Sequence, residues 1–220
     1  MYLGKEEVGL GAREAPADVA RVMSRYVNAL VVRTFAQSVL QTLAEHSSIP
    51  IINALSDEEH PCQALADLLT IYEIKGTLAG INLTYIGDGN NVAASLAIAA
   101  ASVGTNVSIA SPAGYELPSN IILEIQRRAR DTGARIEMGT NPREMLHSTD
   151  VIYTDVWVSM GQETETQERL KSFAAYRVDE ELLALAGPNA VFMHPLPAHP
   201  GEEISAGMLD HPQSIVFDQA

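Results

Sequence analysis

Hydrophobic and polar positions follow two alternating periods along most of this chain. Short apolar runs, typical of buried strands, are followed by longer segments in which apolar residues recur every three or four positions, as on one face of a helix. Strands that alternate with helices indicate a parallel sheet covered by helices. The pattern therefore predicts an α/β protein.

The expected elements can be given in chain order. Helices are predicted over residues 16–26, 37–45, 60–74, 92–103, 118–132, 142–147, 163–176 and 179–186, and strands over residues 29–33, 49–53, 82–86, 106–110, 135–138, 150–154, 190–193 and 215–217. The alternation starts again after residue 76, so we divide the chain into a partial α/β domain (1–75) and a second domain (76–220). The second domain has the pattern of a doubly wound, Rossmann-like parallel sheet, in which ligands bind at the carboxyl ends of the strands.

The helix expected after residue 60 begins with side chains that are candidates for ligand binding. Pro61 suits a first helical turn, and five apolar residues at helical spacing predict its buried face. These five are Ala64, Leu65, Leu68, Leu69 and Tyr72. His60 and Gln63 lie three residues apart beside unpaired N–H groups and the positive end of the helix dipole, a favourable place for a phosphate or a polarised carbonyl. The alternative is an ordinary helix-start histidine and a solvated glutamine.

Composition narrows the possible partners. The chain has 220 residues, of which 46% are hydrophobic and 19% charged, as in an ordinary globular protein. Its formal net charge of −14 makes nucleic acid and an anionic membrane surface poor partners. One cysteine excludes an internal disulfide, and the N-terminus lacks the regions of a signal peptide. We therefore expect a cytoplasmic protein.

A glycine-rich turn follows the first strand of the second domain. Residues 87–91 read Gly-Asp-Gly-Asn-Asn, but Val92 stands at the third glycine position of the dinucleotide motif, which argues against NAD. Asn90 and Asn91 offer amide donors and acceptors that suit an amino-acid-like ligand. Alternatively, Asn90 caps the helix and Asn91 is incidental.

Further polar clusters follow other strands. Asp155 is placed either to bind a cationic amine or to cap a helix, and Gly161 permits a hinge. The segment 194–203 has three prolines within six residues, so it cannot continue a strand, and its backbone carbonyls could accept from a substrate NH₂. Its two histidines have no Cys or Asp at ligand spacing, so we expect no metal. Arg33, at a strand end, is suited to a surface ion pair or to phosphate.

Taken together, four motifs resemble the ornithine carbamoyltransferases, in the same order and at comparable spacing over essentially the whole chain. They are His60-Pro61-Cys62-Gln63, Gly87-Asp88-Gly89-Asn90-Asn91, Asp155-Val156-Trp157-Val158-Ser159-Met160-Gly161-Gln162-Glu163 and His194-Pro195-Leu196-Pro197. The Ser-Met-Gly element favours the ornithine branch over the aspartate branch. The resemblance implies transfer of a carbamoyl group from carbamoyl phosphate to the δ-amine of ornithine, giving citrulline and phosphate, without a cofactor.

The resemblance also implies roles for matching residues. Arg33 would contact the phosphate, His60 and Gln63 the carbamoyl oxygen and nitrogen, and the backbone carbonyl of Leu196 the carbamoyl NH₂. Asp155 would lie near the ornithine amine, so we take it with His60 and Arg33 as the catalytic set. The other residues expected to bind substrate are Asn91, Ser159, Met160, His194 and Pro195.

The chain departs from the family pattern in ways that matter for function. Pro195 stands where ornithine enzymes have cysteine, which leaves another amine, such as putrescine or a modified ornithine, as an alternative substrate. Residues 1–220 contain no phosphate-binding Ser-x-Arg-Thr segment, and the sequence stops just before the family's Glu-Asn-Arg. We therefore expect a fragment, truncated at both ends, of a trimer-based homo-oligomer, with little turnover. A non-catalytic amino-acid-binding module is the remaining alternative.

Overall fold

The computed structural model describes residues 2–4, 9–159 and 161–220. The polypeptide forms two compact units, residues 1–62 and residues 63–220. Each unit is described separately below. None of the described helices is both long and apolar enough to cross a lipid bilayer.

The first unit contains two helices and a two-stranded parallel sheet. Its elements are α1 (Pro16–Met23), β1 (Leu30–Arg33), α2 (Gln37–His46) and β2 (Ile51–Leu55). The strands pair in register from Leu30 opposite Ile51, with an irregularity just before Arg33. Ala20 of α1 and Leu43 of α2 are buried, so the two helices supply the apolar interior of this unit.

The second unit carries the larger set of elements. They are α3 (Pro61–Lys75), β3 (Asn82–Ile86), α4 (Asn91–Ser102), β4 (Asn106–Ala110), α5 (Ser119–Thr132), β5 (Ile136–Gly139), α6 (Pro142–Met145), β6 (Val151–Thr154), α7 (Thr166–Ser172), α8 (Glu180–Ala186), β7 (Val191–Met193) and α9 (Val216–Gln219). Short 3₁₀ turns cover Glu163–Glu165, Ala174–Tyr176 and Met208–Asp210. The helix expected over residues 163–176 is therefore divided into α7 and two 3₁₀ turns.

The five strands of the second unit form one parallel sheet in the order β5-β4-β3-β6-β7. Apolar clusters cover both faces: Leu83 and Tyr85 of β3 point into one, and Ile86 of the same strand points into the other. This alternation is the period of two expected for a strand buried on both sides. The order confirms the predicted doubly wound α/β fold. Strands β4 and β5 lie on one side of β3, and β6 and β7 lie on its other side, so the switch point of the sheet is between β3 and β6. Ligands bind at such a switch point.

The strand predicted over residues 215–217 is wrong. Ser214 makes an isolated bridge with Phe192, but the backbone then turns into α9, with the Gln219 N–H donating to the Ile215 carbonyl. Three apolar residues do not distinguish a strand from a short buried helical turn. The turn brings the Gln219 side chain, which is 3% exposed, into the interior.

The buried face predicted for α3 is also partly wrong. Leu65, Leu69 and Tyr72 are 65%, 57% and 53% exposed. The buried positions are Ala64, Asp67, Leu68, Thr70 and Ile71. The helix therefore buries a face rotated from the expected one, because the apolar residues of α3 surround most of its axis and the polar Asp67 and Thr70 find internal hydrogen-bond partners.

Candidate functional site

Arg33 and His60 belong to the first unit. Arg33 ends β1 and is exposed, while His60 lies just before α3 and is half-buried. Burial lowers the pKa of His60 below its ordinary 6.5, and the positive charge of Arg33 lowers it further. The structure thus brings the imidazole and the guanidinium of these two predicted residues close enough to interact. A neutral imidazole can donate or accept a hydrogen bond without repelling the guanidinium.

In the second unit, the turns after β3 and β6 meet at the switch point. The Asn90 side chain accepts a hydrogen bond from the Ala93 N–H, which caps α4, and its Nδ2 donates to Asp155 Oδ2 over 2.8 Å. Asn90 therefore does more than cap the helix. Asp155 precedes a loop and caps no helix. The neighbouring Asn91 begins α4, and its Oδ1 accepts from the Val92 N–H.

The Asp155 carboxyl is buried, with 6% of the residue exposed. Burial raises its pKa above the ordinary value, opposed by nearby His194 and by the hydrogen bond from Asn90, while Glu203 raises it further. A carboxyl held in such surroundings is stabilised by a cation placed next to it. The Asp155 site is therefore suited to an amine.

His194 follows β7 and is completely buried. Its Nδ1 accepts from the Leu196 N–H at 3.0 Å, so the ring proton belongs on Nε2, which donates to Glu203 Oε1 at 3.2 Å. Burial opposes ionisation of Glu203, but hydrogen bonds from His194 and from the His199 N–H hold its pKa below the ordinary value. Leu196 has a positive φ of 53°, unusual for a residue with a branched side chain. These bonds fix the turn that contains Pro195 and Leu196.

Asp67 lies in the interior beneath these turns. Its Oδ1 accepts from Gln63 Nε2 at 2.9 Å and from Gln219 Nε2 at 2.7 Å, and its Oδ2 accepts from the Tyr153 hydroxyl at 2.9 Å. Gln219 Oε1 in turn accepts from the His194 N–H at 2.8 Å. A single carboxylate therefore joins α3, β6 and α9, and Gln219 extends the network to the turn after β7.

The loop after β6 is held by a buried ion pair. Arg169 Nη1 lies 2.8 Å from Asp88 Oδ2 and 3.1 Å from the Trp157 carbonyl oxygen. The pair ties the loop that contains Ser159 to the glycine-rich turn. The Ser159 N–H donates to Gln162 Oε1 at 3.0 Å. Met160, also predicted to bind substrate, lies outside the described residues.

The glycine-rich turn owes one of its glycines to a close backbone approach. A Cβ on Gly89 would lie 2.4 Å from the Leu117 nitrogen and 2.8 Å from the Tyr115 carbonyl oxygen. The Gly89 N–H donates to that same carbonyl. A side chain here would therefore displace the segment after β4 or the turn that positions Asn90.

Among the residues that the structure describes, one cluster has side chains of the types that bind metal ions. His199, Glu202 and Glu203 each offer a ligand atom, and these atoms lie within 4.8 Å of one another. Glu202 and Glu203 were not predicted from the sequence to be ligands. Bonds of about 2.0–2.2 Å to zinc would require a tighter arrangement. Glu203 Oε1 is also engaged by His194, so the cluster has the contacts of an ordinary hydrogen-bonded turn.

The structure brings several predicted residues of the second unit to one edge of its sheet. Asp155 and His194 interact electrostatically, and the Asp67 carboxylate connects Gln63 to the His194 backbone through Gln219. The supporting residues were missed: Asp67, Asn90 in its bond to Asp155, Tyr153, Gln219 and Glu203. An aspartate within the largely apolar segment of α3 was a signal for Asp67.

Comparisons with known proteins match both parts of the chain. The model of the aspartate/ornithine carbamoyltransferase carbamoyl-P binding domain matches residues 1–73, and that of the Asp/Orn binding domain matches residues 79–220. The ornithine carbamoyltransferase of Acidothermus cellulolyticus is 54% identical over 211 residues, covering 96% of this chain and 68% of that protein. That of Geobacillus stearothermophilus is 50% identical over 220 residues, covering 100% of this chain and 71% of that protein.

The fold is similar to solved structures as well. The structure of ornithine carbamoyltransferase from Pyrococcus furiosus matches with a TM-score of 0.96 and 46% identity, covering 100% of this chain and 70% of that one. The structure from Thermus thermophilus matches with a TM-score of 0.87 and 41% identity, covering 100% of this chain and 70% of that one. The chain therefore spans roughly seven tenths of the length of these proteins.

Proposed function

Because the chain belongs to the aspartate/ornithine carbamoyltransferase family, we propose that it transfers the carbamoyl group of carbamoyl phosphate to the δ-amine of ornithine. The products are citrulline and phosphate, and the reaction contributes to arginine biosynthesis. No cofactor is required, since the neutral amine attacks the carbonyl carbon directly. The bond from that carbon to the phosphate oxygen breaks, and the amine nitrogen loses a proton.

The observation that carries this proposal is the buried Asp155 carboxyl at the switch point of the sheet, held by the Asn90 amide. An amine that enters as an ammonium ion would gain charge-assisted hydrogen bonding from this carboxylate. The family model that matches this part of the chain is the Asp/Orn binding domain, which is consistent with an amino-acid amine. Asn91 and Ser159 would contribute further contacts to ornithine, as would Met160.

The carbamoyl phosphate contacts are proposed on the matched motifs. Arg33 would bind the phosphate group, and His60 would donate to the carbamoyl oxygen as negative charge develops there. Gln63 and the backbone carbonyl of Leu196 would take the carbamoyl NH₂. The lowered pKa of His60 supports a neutral imidazole in this role, because a neutral ring keeps an N–H donor at pH 7.

The organisation of the protein is also proposed. Residues 1–75 would be part of a carbamoyl-phosphate-binding domain and residues 76–220 the ornithine-binding domain. We propose a homo-oligomer based on a trimer, located in the cytoplasm, with small molecules as its partners and neither nucleic acid nor membrane. The net charge of −14 disfavours the latter two.

Product formation tests the proposal. Purified protein would be incubated with carbamoyl phosphate and either L-ornithine or putrescine, and citrulline, carbamoylputrescine and phosphate would be measured. We expect citrulline and phosphate in equal amounts, and no citrulline from Asp155→Asn. A preference for putrescine over L-ornithine would instead favour putrescine as the acceptor amine, which is the alternative that Pro195 leaves open.

Turnover by the 220-residue chain alone is expected to be low. Its sequence contains no Ser-x-Arg-Thr segment for the phosphate. Calorimetric titration with carbamoyl phosphate and with ornithine therefore accompanies the assay. Binding of neither compound, together with absence of product, would count against the proposed function.

A further inference from the structure

Among the described residues of the second unit, Asp67 links several parts of the proposed site through hydrogen bonds. It is fully buried on the face of α3 that also buries Ala64, Leu68 and Ile71. An aspartate is rarely buried without partners, and here three donors reach it from α3, β6 and α9. All three donors are uncharged, so hydrogen bonding, not an ion pair, holds this carboxylate.

The contact with Gln63 determines which end of its amide is available to a ligand. An ionised carboxylate accepts hydrogen bonds and donates none, so Gln63 must turn its NH₂ toward Asp67. The two residues lie four apart on α3, where side chains are neighbours, and the bond measures 2.9 Å. The amide oxygen of Gln63 then remains as the acceptor.

The other partners of Asp67 extend this arrangement to the neighbouring turns. Tyr153 lies two residues before Asp155 on the same strand, and its hydroxyl donates to Oδ2 of Asp67. Gln219 donates to Oδ1 and accepts from the His194 N–H, so its amide orientation is also determined. The position of the turn after β7 is therefore linked to the same carboxylate as Gln63.

We propose that Asp67 is a positioning residue that holds the Gln63 amide with its oxygen toward the ligand. In this orientation Gln63 accepts a hydrogen bond from an NH₂ group of the ligand and discriminates against ligands that lack one. The proposal rests on the proposed function for the identity of the ligand, carbamoyl phosphate. Asp67 itself touches no substrate and acts through Gln63.

Burial raises the pKa of Asp67 to about 6, against the hydrogen bonds from Gln63, Gln219 and Tyr153, so the carboxylate that this assignment requires is the main form at pH 7 and above. The described ionisable groups that face Asp67 are Tyr153 and Asp155, and the charge of Asp155 also raises this pKa. Protonation of Asp67 would replace an acceptor by a donor. The orientation of the Gln63 amide then depends on the ionisation of Asp67.

The first test observes the amide directly and needs no ligand. In ¹⁵N-labelled protein, the side-chain NH₂ signals of Gln63 would be followed from pH 5 to pH 8, with the signals assigned by comparison with Gln63→Glu. We expect slow proton exchange above pH 7 and a change of chemical shift centred near the Asp67 pKa of about 6. In Asp67→Leu, whose side chain branches at the same carbon but has no hydrogen-bond acceptor, both features should be lost.

Two controls separate positioning from a general loosening of the interior. Tyr153→Phe removes another donor to Asp67 and should leave the Gln63 signals protected. Gln126 is an exposed glutamine of α5, and its signals should be unchanged in every variant. Equal protection and equal titration of Gln63 in the unaltered chain and in Asp67→Leu would overturn the proposal.

The second test measures ligand discrimination. Acetyl phosphate has a methyl group where carbamoyl phosphate has NH₂, so the ratio of the two dissociation constants reports the hydrogen bond to that group. Loss of one hydrogen bond predicts that Asp67→Leu, which has no acceptor for the Gln63 amide, lowers the preference for carbamoyl phosphate about fivefold. Tyr153→Phe should retain the preference, and an unchanged ratio in Asp67→Leu would contradict the assignment.

The two tests also separate this proposal from the proposed function. If the unaltered chain does not prefer carbamoyl phosphate to acetyl phosphate, the ligand identity fails. The magnetic resonance comparison still decides by itself whether Asp67 fixes the Gln63 amide.

Discussion

Asn90 Nδ2 donates a hydrogen bond to Asp155 Oδ2 over 2.8 Å, although the two residues are 65 positions apart in the sequence. Asn90 ends the turn after β3, and Asp155 follows β6, so the bond spans the point at which the strand order reverses. The other end of the same amide caps α4. The helix cap and the proposed amine site therefore share one side chain.

Exchanging the donor and the acceptor tests this relationship. Asn90→Asp keeps an oxygen to cap α4 but replaces the NH₂ donor by a second carboxylate beside Asp155. We expect a loss of about 1–3 kcal/mol in the free energy of unfolding, measured by urea denaturation at pH 7. Adding Asp155→Asn restores a donor and should recover most of this stability without restoring ornithine binding. Failure of the second substitution to recover stability would show that the bond is not the cause.

The buried pair of Arg169 and Asp88 predicts a large effect on stability. Each side chain is 7% exposed, so Arg169→Met leaves an uncompensated carboxylate in the interior. We expect a loss of about 3–5 kcal/mol in the free energy of unfolding at neutral pH. Arg127→Met is the control, because that arginine is itself exposed and pairs on α5 with the half-buried Glu124 and the exposed Asp131. Similar losses for the two variants would contradict the buried role.

Stability should depend on pH through Asp67. Its pKa is raised from 3.8 to about 6 in the folded protein, so the folded state binds the proton more tightly than the unfolded chain. The resulting stabilisation is present below pH 3.8 and is lost as the pH rises through about 6. The change amounts to about 3 kcal/mol at most. Urea denaturation of the unaltered chain and of Asp67→Asn between pH 4 and pH 7.5 isolates it, since asparagine does not titrate. A difference between the two proteins that is independent of pH would refute this prediction.

The histidine of the first unit should titrate below its ordinary value. Burial and the charge of Arg33 both lower the pKa of His60 from 6.5. We expect Arg33→Gln to raise the midpoint part of the way, since burial remains, as measured from the imidazole signals by magnetic resonance. Arg25→Gln removes another exposed arginine of the same unit and should have a smaller effect. Equal shifts in the two variants would remove Arg33 as a specific cause.

The sequence predicted the sheet of the second unit well because its strands are short apolar runs separated by turn residues. Residues 82–86 and 106–110 are strands at the predicted boundaries. The sequence was less informative where the local pattern of apolar residues fits more than one type of secondary structure. Three apolar residues at 215–217 fit a strand, yet α9 forms there because Gln219 finds partners in Asp67 and His194. Those partners lie 152 and 25 residues away, beyond any local pattern.

In the site, too, the sequence predicted the residues of local motifs but not the distant residues that hold them in place. Asp155 and His194 follow predicted strands, and parallel strands bring their carboxyl ends to one edge, so their approach was expected. The residues that hold them could not be paired from spacing alone. Asp67, for example, lies on the buried face of α3, which the sequence pattern placed elsewhere, and only the packing of β6 and α9 shows what satisfies it.

The central claim is that Asp155 recognises the side-chain amine of the acceptor amino acid. Calorimetric titration with L-ornithine and with L-norvaline, which has the same carbon chain without the δ-amine, tests it directly. Because hydrogen bonds to charged groups are stronger than neutral ones, the account predicts that the unaltered chain prefers ornithine by about tenfold or more. It also predicts that Asp155→Asn loses this preference while retaining its affinity for norvaline. Equal affinity for the two amino acids in the unaltered chain, or a preference that survives Asp155→Asn, would contradict the account.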